Sequence, residues 1–220
     1  STTEYSLLLN PDCFIKKKDI FKLVDAHIKY KNCFITQATS YDHDKNLSYS
    51  GGLLPENGNK DEVLKLYGDT CVQSALLFCS MIKTVEASNL GPFDENFFLY
   101  FSDHDLCRRL KKSNKSIIQI HSAKCFHIHG SIKINNKYLK LMVREYNYTY
   151  DQLYYFFKDN KEHDIFNTYK KKVLSYFFKF FLKIISFKFE EAIRMCSIIC
   201  GYCHFYFKFY LFNKNNLANK

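Results

Sequence analysis

Tyr5-Ser6-Leu7-Leu8-Leu9-Asn10-Pro11-Asp12 is an apolar run that stops on a polar, proline-bearing turn. It reads as a buried strand that delivers a carboxylate to a strand end, where chemistry often sits. Moving outward, Asp19 to Tyr30 carries Ile20, Leu23, Val24, Ala26 and His27 at helical spacing, and Cys33 to Ala38 is again strand-like. Strand, helix and strand in succession indicate an α/β domain.

The pattern continues down the chain. Residues 40 to 69 are polar and rich in Asp, Asn and Gly, which predicts short strands and loops. Cys71 to Cys79 reads as a strand and Ile82 to Asn89 as a short helix stopped by Gly91-Pro92. A second helix is expected from Ser102, with Asp103 and Asp105 in the first turn, where the helix dipole favours negative charge. Ser116 to Ile120 and Lys124 to Ile128 are separate strand candidates. After Ser131 the character changes: Tyr138 to Lys158 is a Tyr-rich helix, and Lys172, Tyr176, Lys179, Lys183, Ser186, Glu190 and Arg194 form a polar stripe down one long helix. Two regions are therefore expected, an α/β part over residues 1–135 and a helical tail over 136–220.

Bulk properties narrow the class. With 220 residues, 47% hydrophobic and 25% charged, the chain is of ordinary globular composition and large enough for one real core. Nine cysteines scattered through a chain of this size, with no apolar leader ahead of them, point to reduced thiols in the cytoplasm. Much of the +10 charge sits in the tail, where ten Lys or Arg from residue 168 onward face only Glu190 and Glu191. Nucleic-acid surfaces expose cations with few large aliphatic neighbours, whereas here Phe, Ile and Leu dominate the arc around the lysines. The tail is therefore read as a helix lying on an anionic membrane surface, with no nucleic acid as partner.

Four motifs in order carry a resemblance: Leu7-Leu8-Leu9-Asn10-Pro11-Asp12, then Leu90-Gly91-Pro92-Phe93-Asp94-Glu95 with Phe97-Phe98, then Asp103-His104-Asp105-Leu106-Cys107-Arg108-Arg109, then His127-Ile128-His129-Gly130-Ser131. In order and spacing they resemble glycosyltransferase family 2, notably its rhamnosyltransferase-like members. The resemblance implies a partial GT-A-like, Rossmann-like mixed sheet with flanking helices, followed by the amphipathic tail. It also implies an inverting transfer of a rhamnose-like deoxyhexose or hexose from a dTDP- or UDP-linked donor. The acceptor would be a polyprenyl-linked saccharide at the inner face of the cell membrane, in polysaccharide synthesis of the lipopolysaccharide O-antigen kind.

The same resemblance assigns roles. Asp12 matches the second acid of an Asp-x-Asp turn that holds a divalent cation, Mg or Mn, against the donor diphosphate. Asn10 replaces the first acid and is left to ribose or a metal-bound water. His127 matches a further metal ligand, with His129 and Ser131 secondary. Asp103 matches the general base that takes the acceptor hydroxyl's proton, although Ser102 stands where the family commonly has Glu. Asp105 assists the acceptor or caps the helix. Asp94 and Glu95 shape the acceptor pocket, and one of Arg108 and Arg109 meets the acid or a phosphate while the other is solvated. Phe93, Phe97 and Phe98 are expected in the core. Only nine residues precede Asn10, so the chain is expected to lack the N-terminal nucleotide-binding part, which leaves a catalytically inactive membrane-associated remnant as the alternative. Finally, Cys200-Gly201-Tyr202-Cys203-His204 fits a c-type haem attachment pattern, and with Cys196 a zinc set, but small buried thiols on a helix are the expected account.

Overall fold

The structure, a computed structural model, describes residues 3–48, 51–57, 67–91, 93–128, 134–158 and 162–211, with the side chains of 162–168 and 210–211 left aside. His129 and Ser131 lie outside the described residues. The chain divides into two compact units, one of Ser1–Phe93 with Asp103–Ile132 and one of Asp94–Ser102 with Lys133–Lys220.

The first unit is built on strands β1 (Tyr5–Leu9), β2 (Cys13–Ile15), β3 (Cys33–Tyr41), β4 (Gly51–Gly52), β5 (Thr70–Val72), β6 (Ser74–Ala75), β7 (Cys79–Lys83) and β8 (Ser116–His127), with helices α1 (Lys17–Lys29), α2 (Thr84–Leu90) and α3 (Ser102–Lys112). Its main sheet runs β1-β7-β3-β8-β2, with β5 also on β8, and β4 and β6 form a separate pair. The β3–β8 pairing is parallel and the others are antiparallel, so the sheet is mixed, as expected. Leu23 and Ala26 of α1 close one face against Ala38, Met81 and Ile118. Leu106 and Leu110 of α3 close the other against Phe34, Ile35, Ile82 and Ile117.

Three expected elements of this unit need correction. The two strands expected at 116–120 and 124–128 are one strand, because β8 pairs with β3 through a slip in which Ala38 faces Ile120 and Thr39 faces Lys124. The intervening His121-Ser122-Ala123 is therefore a bulge, held where the His121 N–H donates to Asp69 and Lys22 donates to the Ser122 carbonyl. The strand expected at 71–79 breaks into β5, β6 and the start of β7. The helix expected from Ile82 begins at Thr84, because buried Ile82 pairs with Ser6 and Ile35 in the sheet.

The second unit holds α4 (Lys137–Phe157), α5 (Glu162–Ile185) and α6 (Phe189–Phe205), followed by a π-helical turn at Tyr206–Leu211. Asn136 caps α4 by accepting from the N–H groups of Tyr138 and Leu139. The core is aromatic, with Phe97, Phe101, Tyr150, Tyr154, Tyr155, Tyr202 and Phe205 buried together. Contacts between Lys137 and Glu190, and between Tyr150 and Phe205, set α4 and α6 parallel. At their crossing a Cβ on Gly201 would stand 2.6 Å from the Tyr146 carbonyl oxygen, so only glycine fits there.

The one long helix expected across 172–194 is a hairpin. The Phe187 N–H donates to the Ile184 carbonyl and the Lys188 N–H to the Lys183 carbonyl, which is the Schellman pattern, with Phe187 at φ 56° where glycine is usual. An ion pair between Lys183 and Glu191 spans the turn. Phe187 is 80% exposed, so burial does not explain the choice of residue. Phe97 is buried, but Phe93 and Phe98 are exposed and are not core.

Candidate active site

The chain from Asn10 to Cys13 turns at the carboxyl end of the sheet. The Asn10 N–H donates to the Phe78 carbonyl and the Cys13 N–H to that of Asn10, closing the turn around Pro11. β2 then pairs with the end of β8, Cys13 opposite His127, and the Ile128 N–H donates to the Asp12 carbonyl. This register brings the Asp12 carboxylate to 3.3 Å from His127 Nε2. Both side chains are only partly exposed, and the Phe78 ring stacks on the imidazole with centroids 4.4 Å apart.

Cys13 joins them. One ligand atom from each of Asp12, Cys13 and His127 lies within 4.8 Å of the others, the metal-capable grouping found among the described residues. Oxygen and imidazole donors side by side suit a divalent first-row ion such as Mn. Burial pushes the Cys13 thiol up to about 12, so the sulfur stays a neutral thiol unless a cation displaces its proton. Asn10, the other residue of the turn assigned to the donor, is exposed.

Asp103 makes no hydrogen bond or ion pair to that group among the described residues. It lies half-buried in the first turn of α3 and accepts from the His104 N–H at 2.9 Å. His104 Nδ1 and the Ser74 hydroxyl are 2.6 Å apart, and Cys107, one turn on, accepts from the Ala75 N–H, so β6 fixes the start of this helix.

Asp105 does not present a reactive carboxylate, which corrects the expectation that it assists the acceptor. Its side chain is 2% exposed, accepts from Arg109 Nε at 3.1 Å and lies 3.5 Å from Arg108. The expected division of the two arginines fails for the same reason, since both guanidinium groups turn inward. Arg108 is 5% exposed, and Arg109 also donates to the Leu90 carbonyl at the end of α2.

Asp94 and Glu95 lie in the second unit. Burial alone would raise the Asp94 carboxyl, but Lys158 at 2.7 Å, the Asn96 N–H and the Tyr154 hydroxyl outweigh it and hold the acid well below its ordinary range. Glu95 is exposed and lines a cavity between α4 and α6.

Two residues were not foreseen. Cys13 gives no signal in a three-residue strand. Asp151 does, as an acid inside the aromatic run Tyr146 to Phe157. Fully buried on α4, it accepts from the N–H groups of Phe98, Leu99 and Tyr100 at 3.0, 2.9 and 2.7 Å. A carboxylate held by several backbone amides is a strong anchor, with each such bond worth roughly 1.5–3 kcal/mol. It holds the backbone just before Phe101, which stands at φ 65°.

The haem-like motif is resolved differently from the expectation. Gly201 is the helix-crossing residue, Cys200 and Cys196 are exposed rather than buried, and His204 stacks on Tyr150 at 4.8 Å. Among the described residues these side chains do not gather as a metal site.

No family model matches the chain. It is 26% identical over 137 residues to the rhamnosyltransferase WbbL of Escherichia coli (strain K12), covering 56% of this chain and 51% of that protein. It is 29% identical over 134 residues to the low-salt glycan biosynthesis hexosyltransferase Agl10 of Haloferax volcanii, covering 56% of this chain and 42% of that one. The chain thus spans about half the length of the curated relatives it matches. Among solved structures, GalNAc-T7 with UDP, GalNAc and Mn2+ aligns over 68% of this chain and 34% of that one, with a TM-score of 0.44 and 9% identity.

Proposed function

We propose that this chain, similar over about half their length to two glycan-building transferases, is the catalytic and acceptor-side part of an inverting glycosyltransferase. It transfers a rhamnose-like deoxyhexose or a hexose from a dTDP- or UDP-linked donor to a polyprenyl-linked saccharide. The product would feed a cell-surface polysaccharide of the O-antigen kind. The observation that carries this reading is the approach of Asp12 to His127 at 3.3 Å at the carboxyl end of the parallel β3–β8 pair. Ligands of open α/β sheets bind outside that end.

Asp12 and His127 would hold a divalent cation, with Cys13 beside them, and the chemistry such an ion supplies is neutralisation of the charge that builds on a departing diphosphate. Asp103 removes the proton of the attacking acceptor hydroxyl. Asp105, with Arg108 and Arg109, holds the helix that carries the base.

A peripheral place on the inner membrane face is supported by α5. Phe177, Phe178, Phe181 and Ile185 are 49–75% exposed, and Lys179 and Lys183 lie among them. No helix among the described residues is long and apolar enough to cross a membrane. The pattern is that of a helix lying in the interface, apolar groups in the acyl boundary and lysines on anionic headgroups.

Release of nucleoside diphosphate by the protein is the test. With Mn2+, a dTDP- or UDP-sugar and a lipid-linked acceptor, turnover is expected, and Asp103→Asn should lower it by roughly 10²–10⁴-fold while donor binding persists. Donor binding without release would assign the chain to the inactive remnant. Equal turnover by wild type and Asp103→Asn would remove the base assignment.

A further inference from the structure

Within the helical unit, α4 and α6 leave between them a cavity of about 640 Å³ whose wall is predominantly apolar. That is within the roughly 300–1,000 Å³ of small-molecule sites. Its two ends differ in chemistry. Toward the start of the helices the wall is Leu139, Met142, Val143 and Cys196, with Leu139 and Met142 nearly half exposed to the empty space. Toward their ends it is Tyr146, Tyr150, His204 and Lys208.

The polar end is organised. Lys208 Nζ donates to the Tyr150 hydroxyl at 2.9 Å and lies over the same ring, which holds the ammonium on the groove wall. His204 stacks on Tyr150, and its Nδ1 meets the Tyr146 hydroxyl, so Nε2 is the nitrogen it can offer a ligand. Glu95 and Asn96 line the cavity as well, groups suited to hydroxyls rather than to a second anion.

We propose that this groove binds a single extended hydrocarbon chain ending in a phosphate, the chain along Leu139, Met142 and Val143 and the phosphate at Lys208 and His204. Charge complementarity and size select this occupant. A cation at one end of an apolar trough fits an elongated anionic amphiphile. The site rests on the proposed function only in that a lipid-linked acceptor supplies such a molecule. Glu95, on the wall, is one of the two residues, with Asp94, that the resemblance assigns to the acceptor pocket.

The test is calorimetric titration of the full 220-residue chain with farnesyl phosphate, farnesol and inorganic phosphate, together with flotation on anionic phosphatidylglycerol vesicles. Saturable one-to-one binding of farnesyl phosphate is expected, with farnesol at least about tenfold weaker and inorganic phosphate weaker still. Met142→Trp should abolish binding of both prenyl ligands by filling the groove. If that variant loses its helical circular dichroism, Met142→Gln at the same exposed position takes its place, with binding expected to fall. Lys208→Gln should weaken farnesyl phosphate about tenfold and leave farnesol unchanged. Farnesyl phosphate binding no tighter than inorganic phosphate, unaltered binding in the groove variants, or response to vesicles alone would overturn the proposal. Mn2+ binding measured on the same sample separates the two readings. Absence of Mn2+ binding at Asp12 and His127 counts against the transferase and leaves the groove, while absence of farnesyl phosphate binding alone does the reverse.

Discussion

In the sheet unit, Asp12 meets His127 because a backbone ladder sets them side by side; in the helical unit, Asp151 reaches three amides through one side chain. The sheet places its polar groups by register, which many hydrogen bonds share, and its core is mainly aliphatic. The helices place theirs by single contacts set into an aromatic core: Asp151 on the backbone of 98–100, Tyr154 and Lys158 on Asp94, and Gly201 against Tyr146. A site fixed by register tolerates the loss of one side chain in its surroundings. One fixed by single side chains does not.

That contrast can be broken most forcefully at Gly201. Gly201→Val forces side-chain atoms into the Tyr146 carbonyl and should destabilise the helical unit by about 3 kcal/mol, read by hydrogen exchange in α4 and α6, while the amides of β3 and β8 keep their protection. Equal loss in both units would show that they do not hold separate cores. Asp151→Ala sharpens the same point with a somewhat smaller effect. Leaving three part-buried N–H groups without their acceptor should cost about 2–3 kcal/mol in all, because water reclaims much of what the carboxylate supplied, and should speed exchange at Phe98, Leu99 and Tyr100. Unchanged exchange at those amides would count against the anchor. The smallest effect runs the other way, for Phe187→Gly should raise the melting temperature by relieving the left-handed backbone at φ 56°, a gain of about 1 kcal/mol. A lower melting temperature would mean that the exposed ring contributes packing that its contact with Phe189 already hints at.

Much of this was legible in the sequence, and the reasons are local. The apolar run Tyr5 to Leu9, the periodicity of α1 and the polar N-terminus of α3 each follow from neighbours in the chain. The bulge at 121–123 does not, because it arises from how β8 pairs with β3 and looks in sequence like a gap between two strands. The turn at Ser186–Lys188 was invisible for a different reason, since no glycine marks it and the polar stripe passes through without interruption. At the candidate site, Asp12 and His127 were found by motif order and proved to be neighbours, whereas the partnership of Cys13 depends on a cross-strand register that no spacing encodes. The burial of Asp105 against two arginines could not be read either, for acid and base at three- and four-residue steps on a helix look the same on a solvated face as on a buried one.

The account stands most directly on cation binding at the end of β2. Electron paramagnetic resonance titration of Mn2+ into the full chain should show one bound ion per molecule, and both Asp12→Ala and His127→Ala should weaken it by at least about tenfold. Mn2+ binding in the two variants as tight as in the wild type would contradict it.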